Sequence, residues 1–418
     1  MILAQSLIGL ALLLGLAWTL SENRRAVPLR TVGAGLLLQL AIAVLLLRVP
    51  LLRQTFLAAN AAVAAIQQAT EAGTSFVFGY LGGAALPFEK AYPVSTLIFA
   101  VQVLPMVLVV AALSALLYYW KILPRIVQGF SWVLDRTLGV SGAAGTSCAA
   151  SVFFGLMEAP LLIRPYLQQL SRSDLFLIMT ASMATISGAV MVLFATFLQG
   201  IVPNPIVHIL TASLMNAPAA IVISRLMVPG AAPSGAAPRE RFVLPPSAAS
   251  SFMGAITRGT LEAMPLLLNI VAMLVVLIAL VSLVNQGLAL LPQIGGEPLA
   301  LQRLMGWVMA PIAWCMGVPW SEAATAGSLM GIKTVLNEFI AYLALRDLGA
   351  EALSERSRVI LTYGLCGFAN FGSLGMLLGG LSAIIPDRQR ELVALGLRSV
   401  AAGTLANCVT ACVVGLVY

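Results

Sequence analysis

Long apolar stretches that show no strand-like alternation run through most of this sequence. Three examples are residues 32–47, 175–198 and 265–290. Charged side chains make up only 9% of the 418 residues, whereas about 25% is usual in soluble proteins. Such a chain must expose apolar side chains to lipid, where only helices or closed barrels satisfy the backbone. Barrel strands would alternate over about ten residues, so the sequence predicts an all-α polytopic membrane protein.

Net charge and cysteine content exclude several other classes. The formal charge is +7, but no run of basic residues is longer than Arg24-Arg25, so the positive-inside rule explains the excess and we expect no nucleic-acid partner. The five cysteines form no CxxC pair and lie in apolar segments, which predicts small buried residues. One histidine, His208, is too few for a transition-metal site.

Eight apolar segments have the length of membrane spans. They cover about residues 2–20, 32–47, 96–120, 175–198, 206–227, 265–290, 360–385 and 394–417. Two further segments, 141–169 and 304–345, are interrupted by prolines and ionisable residues, and we expect re-entrant hairpins there. Polar residues within 54–72 predict a helix along the membrane interface, and residues 122–140 predict an amphipathic surface helix.

The distribution of basic residues predicts the orientation. With these spans, Lys and Arg favour one side by about two to one, and that side is taken as the cytoplasm. Both termini then lie outside, and the Pro/Ala/Ser-rich segment 229–250 is a cytoplasmic linker.

The two interrupted regions share one plan, which predicts an internal repeat. Glu158 is followed 27 residues later by Thr185, and Glu338 is followed 32 residues later by Asn370. In both regions an amphipathic segment precedes the hairpin, and a discontinuous and then a continuous helix follow it. Paired broken segments in two halves indicate a transporter site near the membrane midplane. An odd number of spans separates the units, so the repeats should be inverted.

The two glutamates need a physical reason to lie within the membrane. A carboxylate at the centre of a membrane helix costs roughly 2.5–3.5 kcal/mol unless it faces water, a partner or a solute. One alternative is structural, with Glu338 paired to Lys333 and Glu158 paired to Arg164. Another is an intramembrane enzyme with the glutamates as acid and base, or a receptor that moves no solute. Because no nucleophile or metal-ligand set accompanies them, we expect a transporter and not an enzyme.

Several motifs in these regions resemble the concentrative nucleoside transporter family. The most specific one contains Gly331, Lys333, Asn337, Glu338, Phe339, Ala341 and Tyr342. Further matches are Gly317-Val318-Pro319-Trp320 and Cys366-Gly367-Phe368-Ala369-Asn370-Phe371. The resemblance extends from about residue 53 to the C-terminus.

The resemblance implies a homotrimer in a bacterial cytoplasmic (inner) membrane that imports nucleosides or a nucleoside-like solute with a coupling cation. Eight transmembrane helices and two re-entrant hairpins would form an elevator-type carrier. Its divisions would be scaffold helices 1–3 with the interfacial segment (1–120), the first transport repeat (121–228), the linker with scaffold helix 6 (229–290) and the second transport repeat (291–418).

The same resemblance implies a role for each matching residue. Glu338, Asn370 and Ser373 would bind the ribose hydroxyls, since a carboxylate and an amide suit a vicinal diol. Phe368 and Val190 would contact the base. Glu158 would anchor the tip of the first hairpin, and Lys333 and Asn337 belong to the structural motif of the second.

Two departures from the family pattern affect the predicted site. Leu156 and Met157 replace the polar pair that usually binds the nucleobase. Because an unsatisfied polar base edge costs about 1–3 kcal/mol per group, a modified-base or non-nucleoside substrate is the alternative function.

The second departure concerns the cation. Ser151 replaces an asparagine of the sodium-coupled members, while Thr185 and Ile186 keep the pattern. This loss of an amide oxygen favours H⁺ over Na⁺ as the coupling ion, with Glu158 or Glu338 carrying the proton. We expect no other cofactor.

Overall fold

The computed structural model describes residues 2–88, 98–140, 142–230, 245 and 249–418. Within these ranges the chain is helical and contains no β-strand. The helices are α1 (Ile2–Thr19), α2 (Leu29–Arg48), α3 (Pro50–Phe78), α4 (Phe99–Gln102), α5 (Met106–Tyr119), α6 (Ile122–Leu138), α7 (Gly142–Ala150), α8 (Glu158–Leu162), α9 (Arg172–Ala184), α10 (Gly188–Phe197), α11 (Pro205–Met227), α12 (Phe252–Leu288), α13 (Leu301–Cys315), α14 (Trp320–Val335), α15 (Glu338–Asp347), α16 (Glu355–Leu365), α17 (Phe371–Ile384) and α18 (Gln389–Val417). The all-α class is therefore confirmed.

Six helical stretches of the described chain are long and apolar enough to cross a membrane. They are Leu29–Arg48, Phe99–Tyr119, Arg172–Phe197, Pro205–Met227, Phe252–Leu288 and Pro386–Val417. The first and seventh predicted spans correspond to the shorter apolar helices Leu3–Thr19 and Phe371–Ile384. The seventh is short because the chain leaves helical geometry after Leu365 and resumes it at Phe371. The count of eight spans stays a prediction.

The order of elements repeats along the chain. Helix α6 is followed by α7 and α8, which flank the first hairpin tip, then by the broken pair α9 and α10 and the continuous α11. Helix α13 is followed in the same way by α14 and α15, the broken pair α16 and α17, and the continuous α18. Both glutamates of the predicted hairpins occupy the first position of the second arm, Glu158 in α8 and Glu338 in α15. The re-entrant course and the inversion stay predictions.

Two further predicted segments, the interfacial helix and the linker, can be compared with the described residues. Residues 54–72 belong to the single helix α3, which is longer than the predicted interfacial segment. Most of the predicted linker 229–250 lies outside the described residues, as do residues 89–97.

The core of the molecule lies in the two repeats. Helices α9, α10, α11 and α18 are buried over most of their length, whereas α1, α2 and α12 expose large apolar side chains. The five cysteines are buried and unpaired. This distribution is that of a membrane protein, in which the outer helices face lipid or other chains and the inner helices pack on one another.

An ionic network ties the loop between α1 and α2 to helices of both repeats. The Glu22 carboxylate lies 2.9 Å from Arg172 Nη2 and 2.5 Å from Arg398 Nη1. The hydrogen bond from Arg172 holds the pKa of Glu22 below its usual value, and the charges of both arginines act in the same direction. The network therefore joins the α1–α2 loop to the first residue of α9 and to the third turn of α18.

Candidate functional site

The second hairpin and the second broken helix meet through three polar side chains. Asn337 caps α15 by accepting a hydrogen bond from the Ile340 N–H (3.0 Å), which leaves Glu338 in the first turn. Asn370 caps α17 in the same way by accepting from the Ser373 N–H (2.7 Å). The Asn370 Nδ2 then donates to Glu338 Oε2 over 2.8 Å. The predicted ribose ligands Glu338, Asn370 and Ser373 are thus brought together, and all three are buried.

Helix capping explains why these residues lie there. The Asn side chain satisfies an N–H that the first helical turn leaves without a backbone partner. A carboxylate in the first turn is further stabilised by the helix dipole. Asn337-Glu338 therefore begins one helix at the same point where Asn370 begins the other, and the two positive helix ends approach one polar site.

Lys333 does not form the ion pair that was considered for it. Its ammonium group is fully buried and donates to Gly364 O (2.9 Å) and Asn407 Oδ1 (2.6 Å). Among the described residues no ion pair joins Lys333 to Glu338. The physical reason is the break after Val335, which places Lys333 in the last turn of α14 and Glu338 in the first turn of α15.

The two broken helices are joined where their backbones leave helical geometry. The amide of Asn407, in the middle of α18, donates to Ala184 O (2.7 Å) and Cys366 O (2.9 Å). These carbonyls belong to the breaks of α9–α10 and α16–α17. Asn216 of α11 donates to Cys366 O as well (2.7 Å). Carbonyls freed by a break need such donors because lipid offers none.

Asn216 and Asn407 are buried polar positions at the helix breaks that the sequence analysis missed. Each is a fully buried amide near the middle of an apolar helix. That placement was the available signal, since polar side chains at membrane depth are costly without partners. Their partners are carbonyls 150 and 223 residues away along the chain.

The tip of the first hairpin contacts the same broken helix from another side. Met157 packs so closely against Gly380 of α17 that a Cβ on the glycine would lie 2.1 Å from Met157 Cε. Leu156 is 9% exposed. Helix α17 is therefore contacted by hairpin 2 (α14 and α15) at its N-cap Asn370 and by hairpin 1 (α7 and α8) at Gly380.

Glu158 holds the hairpin tip together without a basic partner. Its carboxylate accepts a hydrogen bond from the Gly155 N–H, and its side chain is exposed. In the described part of the chain it forms no ion pair with Arg164, so that pairing is absent. A local backbone donor within the tip replaces it.

The residues predicted for the cation lie where the first hairpin meets the first helix break. Ser151 and Thr185 are buried, and their hydroxyls donate to Cys148 O and Ala181 O, each over 2.8 Å. The Gly188 N–H donates to Phe153 O over 2.9 Å, which fastens the hairpin tip to α10. Hydroxyl and carbonyl oxygens are the donors that a hard cation prefers, so the residues present fit a sodium ion as well as a proton carrier.

Phe368 and Val190 lie next to this junction. The Phe368 N–H donates to Thr185 O over 3.3 Å, so the loop of the second break is paired directly with the first. Val190 is 1% exposed in the first turn of α10. The predicted apolar walls therefore belong to the two breaks that carry the polar site.

The architecture and site together define a helical membrane carrier with a buried polar centre. Family profiles described as "Na+ dependent nucleoside transporter" match residues 8–81 (N-terminus) and 208–415 (C-terminus), and a profile described as "Nucleoside recognition" matches residues 100–200.

Similar proteins cover the whole chain. An uncharacterized transporter of Haemophilus influenzae is 36% identical over 98% of this chain and 97% of its own length. The nucleoside permease NupC of Helicobacter pylori is 34% identical over 98% of this chain and 97% of its own length. The sodium/nucleoside cotransporter 1 of mouse is 32% identical over 99% of this chain and 63% of the longer relative.

The fold agrees with solved structures at the same level. CNTnw in an inward-facing substrate-bound state matches with a TM-score of 0.88 at 34% identity, covering 100% of this chain and 99% of that chain. A CNTnw variant in an outward-facing state matches with a TM-score of 0.89 at 34% identity, covering 100% of this chain and 97% of that chain. The chain belongs to the sodium-dependent nucleoside transporter family.

Proposed function

We propose that this chain is a cation-coupled symporter that imports nucleosides across a bacterial inner membrane as a homotrimer with an elevator mechanism. The observation that carries the proposal is the contact of Glu338 with Asn370 at the point where hairpin 2 meets the broken helix α16–α17. A buried carboxylate and amide at two helix N-termini can bind the two hydroxyls of a ribose. Names of relatives such as NupC support a nucleoside as the substrate.

Movement of the repeats as one body is supported by the way they are fastened. Asn407 and Asn216 join both helix breaks, and Met157 and Gly380 join hairpin 1 to α17. Such ties would let the two repeats travel together past α5 and α12. The solved inward- and outward-facing states of CNTnw support alternating access for this fold.

The decisive experiment is counterflow. Purified protein in liposomes loaded with unlabelled uridine should accumulate labelled uridine without chemical change and without a cation gradient. A receptor would bind the label and exchange none, and an enzyme would alter it. Absence of exchange for every nucleoside tested would contradict the proposal.

We propose sodium as the coupling ion, in preference to the proton that Ser151 alone favours. The family description and the mouse relative both refer to sodium, and the buried hydroxyl and carbonyl oxygens around Thr185 suit it. Uptake of labelled uridine should follow an imposed sodium gradient and ignore a protonophore. Ser151→Asn should restore an amide ligand and lower the sodium concentration for half-maximal uptake by roughly tenfold, as one added ligand of about 1.4 kcal/mol would.

The control for this prediction is Ser171→Asn. Ser171 caps the beginning of α9, at the end of the helix opposite to Thr185. Uptake that responds to a pH gradient at constant sodium would assign the proton and contradict sodium coupling.

The nucleobase end of the site should be less selective than the ribose end. Leu156 and Met157 offer no hydrogen bonds, and Met157 is occupied by its contact with Gly380. The relatives with named substrates transport nucleosides, so they do not support the alternative of a non-nucleoside solute. Aliphatic residues at this tip would instead weaken discrimination between bases.

Introducing the polar pair provides the test. Leu156→Gln with Met157→Thr should lower the KM for uridine by roughly tenfold, since two restored hydrogen bonds contribute about 1–2 kcal/mol. The double variant Leu156→Met with Met157→Leu keeps the volume and should leave KM unchanged. Uridine KM values that are equal in all three proteins would remove Leu156 and Met157 from the site.

A further inference from the structure

A second polar cavity lies away from the Glu338 site. It has a volume of about 690 Å³ and lies between α3, the loop from α10 to α11 and the beginning of α16. Its polar lining comes from Asn60, Gln199, Asn204, Glu355 and Arg358. No residue assigned to the transport site lines it. Its volume is within the range of about 300–1,000 Å³ that is usual for small-molecule sites.

The polar groups around the cavity have unused hydrogen-bonding capacity. Asn60 Nδ2 donates to Asn204 Oδ1 over 2.9 Å, which leaves the Asn60 carbonyl and the Asn204 amino group without a partner among the described residues. The Arg358 Nε is buried and has no partner in that part of the chain, while its Nη2 donates to Gly349 O over 2.8 Å. The groups that a ligand could reach are therefore the Asn60 side-chain oxygen and the Asn204 amino group, which line the cavity, whereas the Arg358 Nε is closed off from it.

The backbone at Asn204 is held in an uncommon conformation. Its φ is 47°, in the left-handed region, and it lies between Pro203 and Pro205 at the beginning of α11. Asparagine is enriched several-fold among the non-glycine residues that adopt this region, so the conformation is accessible to it. The turn between the two prolines fixes Asn204 at the wall of the cavity.

The charges favour a neutral ligand. Glu355 and Arg358 are one helical turn apart in α16 and offset each other, and the remaining polar groups are amides. The amides, the Glu355 carboxylate and the Arg358 guanidinium present both donors and acceptors, which matches hydroxyl groups and ring nitrogens. A phosphate would meet the Glu355 carboxylate.

We infer that this cavity is a second binding site for a neutral solute carrying hydroxyl groups and ring nitrogens, which is the class of the transported nucleoside. The identity of the ligand rests on the proposed function. Arg356 and Arg358 belong to the basic residues on the outer side of the predicted topology, so the site would collect solute on the side of entry. Its walls come from α3 on one side and from the two repeats on the other, so occupancy would depend on their relative position.

Equilibrium binding of labelled uridine to the purified full-length chain tests the inference. The wild type should bind two uridines per protomer. Glu338→Gln should lose binding at the Glu338 site (the inner site) and retain only binding in the cavity (the outer site). Arg358→Met and, separately, Asn204→Ala should retain only the inner site, with the uptake KM raised roughly tenfold, as loss of about one good hydrogen bond predicts, and kcat unchanged. Gln286→Leu changes an exposed amide of α12 and serves as the matched control.

The outcomes separate the two proposals. One uridine per wild-type protomer, lost in Glu338→Gln, would overturn the outer site and leave the transport function intact. Binding that survives Glu338→Gln but disappears in both Arg358→Met and Asn204→Ala would support the outer site even where counterflow fails. If neither Arg358→Met nor Asn204→Ala changes stoichiometry or KM while both melt at the wild-type temperature, the inference is wrong.

Discussion

Replacing Glu338 with glutamine should lower uridine uptake by roughly a hundredfold, because hydrogen bonds to a charged group contribute about 1.5–3 kcal/mol each. The carboxylate has two acceptor oxygens, one of which already accepts from Asn370. Glutamine keeps the shape but offers one acceptor oxygen, so that when this oxygen accepts from Asn370 its amino group replaces the second acceptor. Initial rates of labelled uridine uptake in proteoliposomes measure this loss. We expect it mainly as a higher KM for uridine.

A matched substitution separates chemistry from folding. Glu297→Gln changes an exposed acid in the loop before α13 and should transport at the wild-type rate. Glu338→Gln should melt close to the wild-type temperature, since burial of a neutral amide costs less than burial of a carboxylate. An unchanged KM for uridine in Glu338→Gln would show that the ribose binds elsewhere.

Asn407→Ala should destabilise the core strongly. It removes the donor to Ala184 O and Cys366 O and the acceptor for the Lys333 ammonium. Three net hydrogen bonds of about 1 kcal/mol each give a loss of roughly 3 kcal/mol. The melting temperature of the detergent-solubilised protein should then fall by roughly 3–4 °C.

Asn23→Ala is the control, because that asparagine lies in an exposed loop. Lys333→Met tests the same junction from the other side and should also lower the melting temperature. If Asn407→Ala melts with the wild type, the two helix breaks are held together by packing alone. In that case the hydrogen bonds described here contribute little to stability.

The sequence predicted the class of fold and the members of the polar site, and the reasons differ. Apolar length and the scarcity of charge were sufficient for the helices. The site residues were predicted from their match to family motifs, and the structure adds that Asn337 and Asn370 cap the two helices at the site. Such motifs consist of neighbouring residues, so a single sequence contains them.

Contacts between distant segments could not be predicted in the same way. Lys333 and Glu338 are five residues apart, which suggested an ion pair, but the break after Val335 separates them. The true partner of Lys333 is Asn407, 74 residues away. Glu158 differs, because its carboxylate accepts from the Gly155 N–H, only three residues away, and forms no ion pair with Arg164 among the described residues. Sequence distance was therefore misleading for Lys333 and not for Glu158.

The network around Glu22 has a consequence for turnover. If α1 stays with the stationary part of the carrier while α9 and α18 travel, the contacts of Glu22 with Arg172 and Arg398 must be exchanged for water in every cycle. Pairs that are partly open to solvent are screened over about 8 Å at physiological ionic strength. Dissolved salt would weaken these ion pairs and so lower the free-energy cost of breaking them. The turnover rate should therefore be lower in dilute buffer than at the ionic strength of a living cell.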